Sequence, residues 1–184
     1  MISDLYLDYH ELFLAIYLDL ESAWEFICER LHKMILGLHH AAIAVPNLEA
    51  GLDFYTRVLG FEVCSEAKLP PGFDPISRAF GIENAACRVR MIRKGNSYLE
   101  LFEFQDSIDG EASRPVNRVG ISHIAVATND AEGDFRMLEG EGVVFNAPLF
   151  GPAPSRFAYG RDPFGNVIEL LEHDPEGESA RDFG

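Results

Sequence analysis

His40-Ala41-Ala42-Ile43-Ala44-Val45-Pro46-Asn47 and His123-Ile124-Ala125-Val126-Ala127-Thr128-Asn129-Asp130 repeat one pattern in register. Each is a histidine followed by alternating small and branched residues, then a polar residue able to start a helix. Strand side chains alternate between faces, so His40 shares its face with Ala42 and Ala44, while Ala41, Ile43 and Val45 point the other way. His123 likewise sits with Ala125 and Ala127, opposite Ile124, Val126 and Thr128. The branched face suits packing against a helix. The face with one imidazole and only methyl groups leaves volume for a cavity.

The likeness continues outward from these two strands. Asn47 with Glu49, and Asn129 with Glu132 in capping-box spacing, predict helix starts. Gly60, and Gly140 or Gly142, predict helix ends followed by the strands Phe61-Glu62-Val63 and Val143-Val144-Phe145. Each half closes on a Gly-Asn turn feeding a strand with one glutamate: Gly95-Asn96 before Glu100, and Gly165-Asn166 before Glu169. Asp162-Pro163-Phe164-Gly165 places its residues where a type I turn favours them. The reading is α+β: two βαβββ modules over residues 37–106 and 117–172, forming a cupped mixed sheet. Residues 105–116 read as the linker and 173–184 as a mobile acidic tail.

Composition narrows the partners. The chain of 184 residues is 47% hydrophobic and carries 15 basic against 30 acidic side chains, a net charge of -15. That balance excludes nucleic acid, whose phosphates demand a basic face, and an anionic membrane surface. A small-molecule substrate is expected instead. Cys28, Cys64 and Cys87 form no CxxC and are read as reduced thiols in a cytoplasmic protein. Residues 1–36 are apolar and aromatic, but charges such as Asp8, Glu11, Asp19, Glu25 and Arg30 interrupt them, so no membrane span forms. The basic start and cleavage site of a secretory signal are missing too. A helical N-terminal extension is expected there, with Met34 as an alternative start, and its apolar character favours a homodimer.

His40, Glu100, His123 and Glu169 are the candidate site. Glu100 lies within Tyr98-Leu99-Glu100-Leu101-Phe102 and Glu169 within Val167-Ile168-Glu169-Leu170-Leu171. A carboxylate in such apolar runs is costly to bury without a partner. One divalent cation would satisfy both glutamates and both histidines, and this donor set suits Zn, Ni, Co, Mn or Fe alike. The repeat register selects His40 over its neighbour His39. Arg88 and Arg90 share one face of a strand over 86–93 and are candidates to receive a substrate carboxylate or phosphate. Their alternative is a solvated strand face. Tyr159, with Phe150 and Phe157, is a candidate for the mouth of a pocket. Arg161 and Asp162 are expected to anchor the last hairpin.

These motifs, with Phe54-Tyr55, Leu59-Gly60-Phe61 and Gly160-Arg161-Asp162, resemble the vicinal oxygen chelate superfamily over residues 36–172. That group includes glyoxalase I, methylmalonyl-CoA epimerase, fosfomycin-resistance proteins and extradiol dioxygenases. The resemblance implies that His40, Glu100, His123 and Glu169 hold the metal. It also implies a lyase or isomerase acting on a small carbonyl compound through a metal-stabilised enolate. Glu169 is then the base, and Glu100 a ligand with a second acid-base role. An Fe(II) extradiol dioxygenase and a non-catalytic binding or resistance protein are the competing readings.

Overall fold

The computed structural model describes residues 22, 24, 25, 35–108, 115–177, 182 and 183. The N-terminal extension expected over 1–36 lies almost wholly outside them; Ser22, Trp24 and Glu25 are helical. The chain divides into two compact units, Met1–His39 and His40–Gly184, and both sheets lie in the second.

The first module runs β1 (Ala41–Ala44), helix α1 (Leu48–Leu52), β2 (Glu62–Leu69), α2 (Asp74–Phe80), β3 (Cys87–Lys94) and β4 (Ser97–Phe104). The second runs β5 (Ile124–Thr128), α3 (Ala131–Gly140), β6 (Val144–Phe145), β7 (Phe157–Arg161) and β8 (Val167–Glu172). Strand order is β1-β4-β3-β2 in one sheet and β5-β8-β7-β6 in the other. The first strand of each sheet pairs in parallel with the last, and the remaining pairs are antiparallel. The expected α+β fold of paired βαβββ units is therefore present. Gly95 and Gly165 turn the two final hairpins with φ of 55° and 89°, the left-handed conformation that glycine adopts without a Cβ clash.

Asn47 caps α1, its side chain accepting from the Ala50 amide at 2.8 Å. In the second module the cap is Asp130, not Asn129. Its carboxylate takes the Gly133 amide at 3.0 Å, while Thr128 receives the Asp130 amide. After Leu52 the first helix continues as a π-helix over Asp53–Val58, whose wider turn allows the adjacent residues Phe54 and Tyr55 both to be buried. Helix α2 is an element the sequence reading passed over, although Pro75 in its first turn and Gly81 in the left-handed conformation at its end are standard boundary signals. Asp182 and Phe183 lie within the stretch expected as a tail. Their carbonyls accept from the Asn96 side chain and backbone amide, tying them to the β3–β4 turn.

Both helical layers feed one core. Ile43, Val45, Leu48, Tyr55, Leu99 and Leu101 of the first module cluster with Leu138, Val143, Ile168 and Leu170 of the second. Within this core the Tyr55 hydroxyl donates to Asp162 Oδ2 at 2.8 Å. Asp162, 3% exposed, also accepts from the Phe164 and Asn166 amides and the Asn166 side chain. It thus holds the last hairpin, as expected, and anchors it to the other module. Burial, reinforced by the Asp162 charge, pushes the Tyr55 phenol far up, so it stays protonated and donating. At the surface Arg57 bridges Asp53 and Glu141 across the same seam, a half-exposed pair contributing little.

Two expectations follow for stability. Tyr55→Phe should lower the unfolding free energy by about 2 kcal/mol in urea titration, the usual loss for a buried hydrogen bond to a charged acceptor. A change within experimental error would show that this bond does not hold the modules together. Acid should also destabilise the fold through Glu172, whose carboxyl is held below its ordinary value by the Arg156 guanidinium. Its stabilising contribution is complete above the ordinary glutamate range, about pH 4.3, and is lost as pH falls through the lower folded value. Arg156→Met should flatten that part of the acid-unfolding profile, and an unchanged profile would exclude Glu172 as its source.

Candidate functional site

The alternation read from the sequence sets the two faces of each sheet. Ile43 and Val45 are buried, whereas Ala42 and Ala44 are exposed; Ala125 and Ala127 repeat the open pattern. Parallel pairing sets Ala42 beside Glu100 and Ala125 beside Glu169. Both histidine faces are therefore open, and the branched faces are the ones that join the core.

On those open faces the structure brings His40 to Glu100 and His123 to Glu169. The Nε2–Oε2 distances are 3.0 and 3.1 Å. Each side chain is partly buried, with Glu169 the most enclosed at 13% exposed. Ser122 Oγ lies 2.7 Å from His123 Nδ1 and fixes the ring so that Nε2 faces the carboxylate.

Tyr159 lies directly opposite Glu169 in the β7–β8 ladder. Its ring stands edge-on to His123, the centroids 5.0 Å apart. Burial, with the Glu169 charge second, pushes the Tyr159 phenol up. The second half-site thus gathers Ser122, His123 and Glu169 in line, with Tyr159 packed beside His123 and opposite Glu169. Phe157 stands edge-on to both Tyr159 and Phe150.

Arg88 and Arg90 are not brought to the site, which corrects their candidacy as substrate ligands. In the β3–β4 ladder Met91 opposes Glu100 while Arg90 opposes Leu101 and Arg88 opposes Glu103. Both arginines therefore lie on the face opposite Glu100. Arg88 pairs there with Glu49 and Glu103, and Arg90 with Glu66. Glu103 also caps α1, accepting the Leu48 amide at 2.6 Å. The face of Glu100 instead carries Phe102, Phe104, Val89 and Cys87. Burial, and next the Glu100 charge, push the Cys87 thiol up.

A cavity of about 750 Å³ opens between the modules, lined by the β1 edge, Ser122, His123, Arg161 and Phe164. His123 is the one candidate ligand that borders it. Arg161 donates to the Gly165 carbonyl at 2.9 Å, bracing the last turn. The donor set, two imidazoles and two carboxylates, fits a divalent cation in kind. Each module holds one half of it. Among the described residues no three His, Cys, Asp or Glu side chains gather around one point. Both pairs lie on sheet faces turned away from the shared core, and the cavity is lined by Ala42 and Ala44 of one such face and by His123 and Arg161 of the other. No helix among the described residues is long and apolar enough to cross a membrane.

Comparisons with known proteins fit this architecture. A 2-epi-5-epi-valiolone epimerase from Actinomyces sp is 29% identical over 148 residues, 74% of this chain and 79% of that protein. A glyoxalase family protein from Bacillus cereus superposes with a TM-score of 0.67 at 21% identity, covering 74% of this chain and 93% of that one. The fosfomycin resistance protein FosX from Listeria monocytogenes, solved with Mn(II) and sulfate, superposes with a TM-score of 0.53 at 16% identity, covering 78% and 97%. These two structural likenesses are likenesses of fold. The sequence pattern of one family spans residues 37–170, both open faces included, and by it this chain belongs to the Glyoxalase/Bleomycin resistance protein/Dioxygenase superfamily.

Proposed function

We propose that the protein is a metal-dependent isomerase or epimerase that moves a proton on the carbon beside a carbonyl of a small substrate. The observation that carries this reading is the twinned pair, His40 with Glu100 and His123 with Glu169, at 3.0 and 3.1 Å on matching open faces. The epimerase relative supports it, and FosX supplies an instance of Mn(II) on the same fold. Among the described residues no three of these donors gather around one point, and on this reading His40 and Glu100 of one chain meet His123 and Glu169 of a second copy. The assembly is then a homodimer with two composite sites.

A bound divalent cation supplies Lewis-acid stabilisation of the charge that develops on the substrate oxygen. The chain supplies the rest. Glu169 takes the proton from carbon, with Oε2 as the basic atom, and either returns it to the neighbouring carbon or keeps it while Glu100 delivers a proton to the opposite face of the enolate. Tyr159, directly opposite Glu169 in the β7–β8 ladder, is placed to orient that carboxylate. Ser122 fixes the His123 ring. Glu100 completes the donor set and is the second acid-base group.

Calorimetric titration of the metal-free protein with Mn(II) should reach about one ion per chain, the stoichiometry of two composite sites per dimer. Less than about a tenth of an ion per chain would leave a non-catalytic binding protein as the better reading. The composite geometry has its own test. A His40→Ala/Glu100→Ala variant and a His123→Ala/Glu169→Ala variant should each lose metal. Unfolded and refolded together in equal amounts, they should recover about a quarter of the wild-type sites, because mixed dimers hold one intact site. No recovery means that each site closes within one chain.

Exchange of solvent deuterium into α-hydroxy ketones reads the chemistry, with 2-epi-5-epi-valiolone, named for the relative, among those offered. Glu169→Gln should slow exchange by about a hundredfold or more. Undiminished exchange would remove Glu169 as the base.

A further inference from the structure

The two open faces differ beyond their His–Glu pairs. In the second module Tyr159 stands opposite Glu169, with Arg161 opposite Val167 one row along in one direction and Phe157 opposite Leu171 one row along in the other. In the first module the strand that carries Glu100 continues on the same face as Phe102 and Phe104. These rings stack 5.2 Å apart and within 8° of parallel. Ala44 lies beside Phe102, and Val89 opposes it. Phe80, from α2, stands edge-on to both rings at 6.0 and 5.9 Å.

Helix α2 has no helical counterpart in the second module, where residues 146–156 connect the corresponding strands. None of its residues is buried, and Phe80 remains 37% exposed. It does not serve the core. Its aromatic contacts are all with the face that carries the half-site. Beyond Phe104 the track ends in a cavity of about 200 Å³ walled by Ala44, Ile82, Ala85 and Ala86, with Asp106 at its edge. Residues two apart on a strand are about 6.7 Å apart, so the path from Glu100 over Phe102 to Phe104 is about 13 Å long.

We infer that Phe80, Phe102 and Phe104 form an apolar subsite that takes an aryl or extended alkyl portion of the substrate, while its adjacent oxygens lie at His40 and Glu100. The inference rests on the proposed metal site. It commits the preferred substrate to an apolar arm, which a bare polyhydroxylated ring does not have. Continuity is the argument for a substrate rather than a protein partner. The aromatic track begins one row from Glu100 on the same strand and ends in a partly open cavity of about 200 Å³. Burying such an arm gains affinity in proportion to the apolar area removed from water.

Hydroxamates present two adjacent oxygens to a metal and differ only in the arm. Full-length protein loaded with Mn(II) should be titrated calorimetrically with acetohydroxamate, benzohydroxamate and 4-phenylbenzohydroxamate. The aryl compound should bind at least tenfold tighter than acetohydroxamate, and the biaryl compound tighter again. In Phe80→Ala, a change on a helix with no buried residue, and in Phe104→Ala, the gain per ring should shrink by at least threefold. Equal affinity across the series in a protein that binds Mn(II) and acetohydroxamate would overturn the subsite and leave the metal reading standing. A gain that persists in both variants would overturn it too, by placing the contact elsewhere. Failure to bind Mn(II), or any hydroxamate, would overturn both.

Discussion

One buried hydrogen bond, from Tyr55 to Asp162, sets how the halves of this protein face. Asp162 is an ionisable group in the core that binds the turn of its own hairpin through two amides and a side-chain amide. Its remaining capacity goes to a phenol from the other module. A buried carboxylate is tolerated only when its oxygens are met in this way, so the seam has little freedom to slide. With the helical sides locked together, the histidine-bearing faces of both sheets are left free of the core. The two His–Glu pairs stand on those free faces.

Much of this was legible in the sequence because a strand has a period of two. The pattern from His40 to Val45 and from His123 to Thr128 told which face was open, and the Gly-Asn turns marked the hairpins that deliver Glu100 and Glu169. The relation between neighbouring strands was not legible, because it depends on hairpin register. The β3–β4 turn sets Lys94 opposite Ser97, so odd-numbered residues of β3 share a face with even-numbered residues of β4. Arg88 and Arg90 fall with Leu101 and Glu103 for that reason. The β7–β8 turn sets Arg161 opposite Val167, matching odd with odd, and Tyr159 joins Glu169. A difference of one residue in turn alignment separates the two outcomes.

The missed helix α2 and the shifted cap of α3 have local causes. Asp74-Pro75 and Gly81 bracket a segment too short and too exposed to show an amphipathic period. At α3, Thr128 accepts the Asp130 amide, which moves the helix start one residue along from Asn129. Neither was visible in the repeat, since both are departures from it. The departures are where the modules come to differ: helix α2 sets Phe80 against Phe102 and Phe104 in one, while Tyr159 and Arg161 stand on the face of Glu169 in the other.

The π-helical stretch Asp53–Val58 gives this divergence an evolutionary reading. A π turn is an α turn with one residue added, and here it lets Phe54 and Tyr55 both face inward, at 4% and 0% exposed. Deleting one residue between Asp53 and Val58 would restore the α phase and swing every later side chain of the helix by about 100° relative to those before it. Tyr55 and Phe54 would no longer both reach the seam. Substitutions along this helix are therefore open to gradual change, whereas its length in residues is fixed. Insertions and deletions in descendants of this chain should gather in 146–156 and the segment around α2, and spare the turn between Leu52 and Gly60.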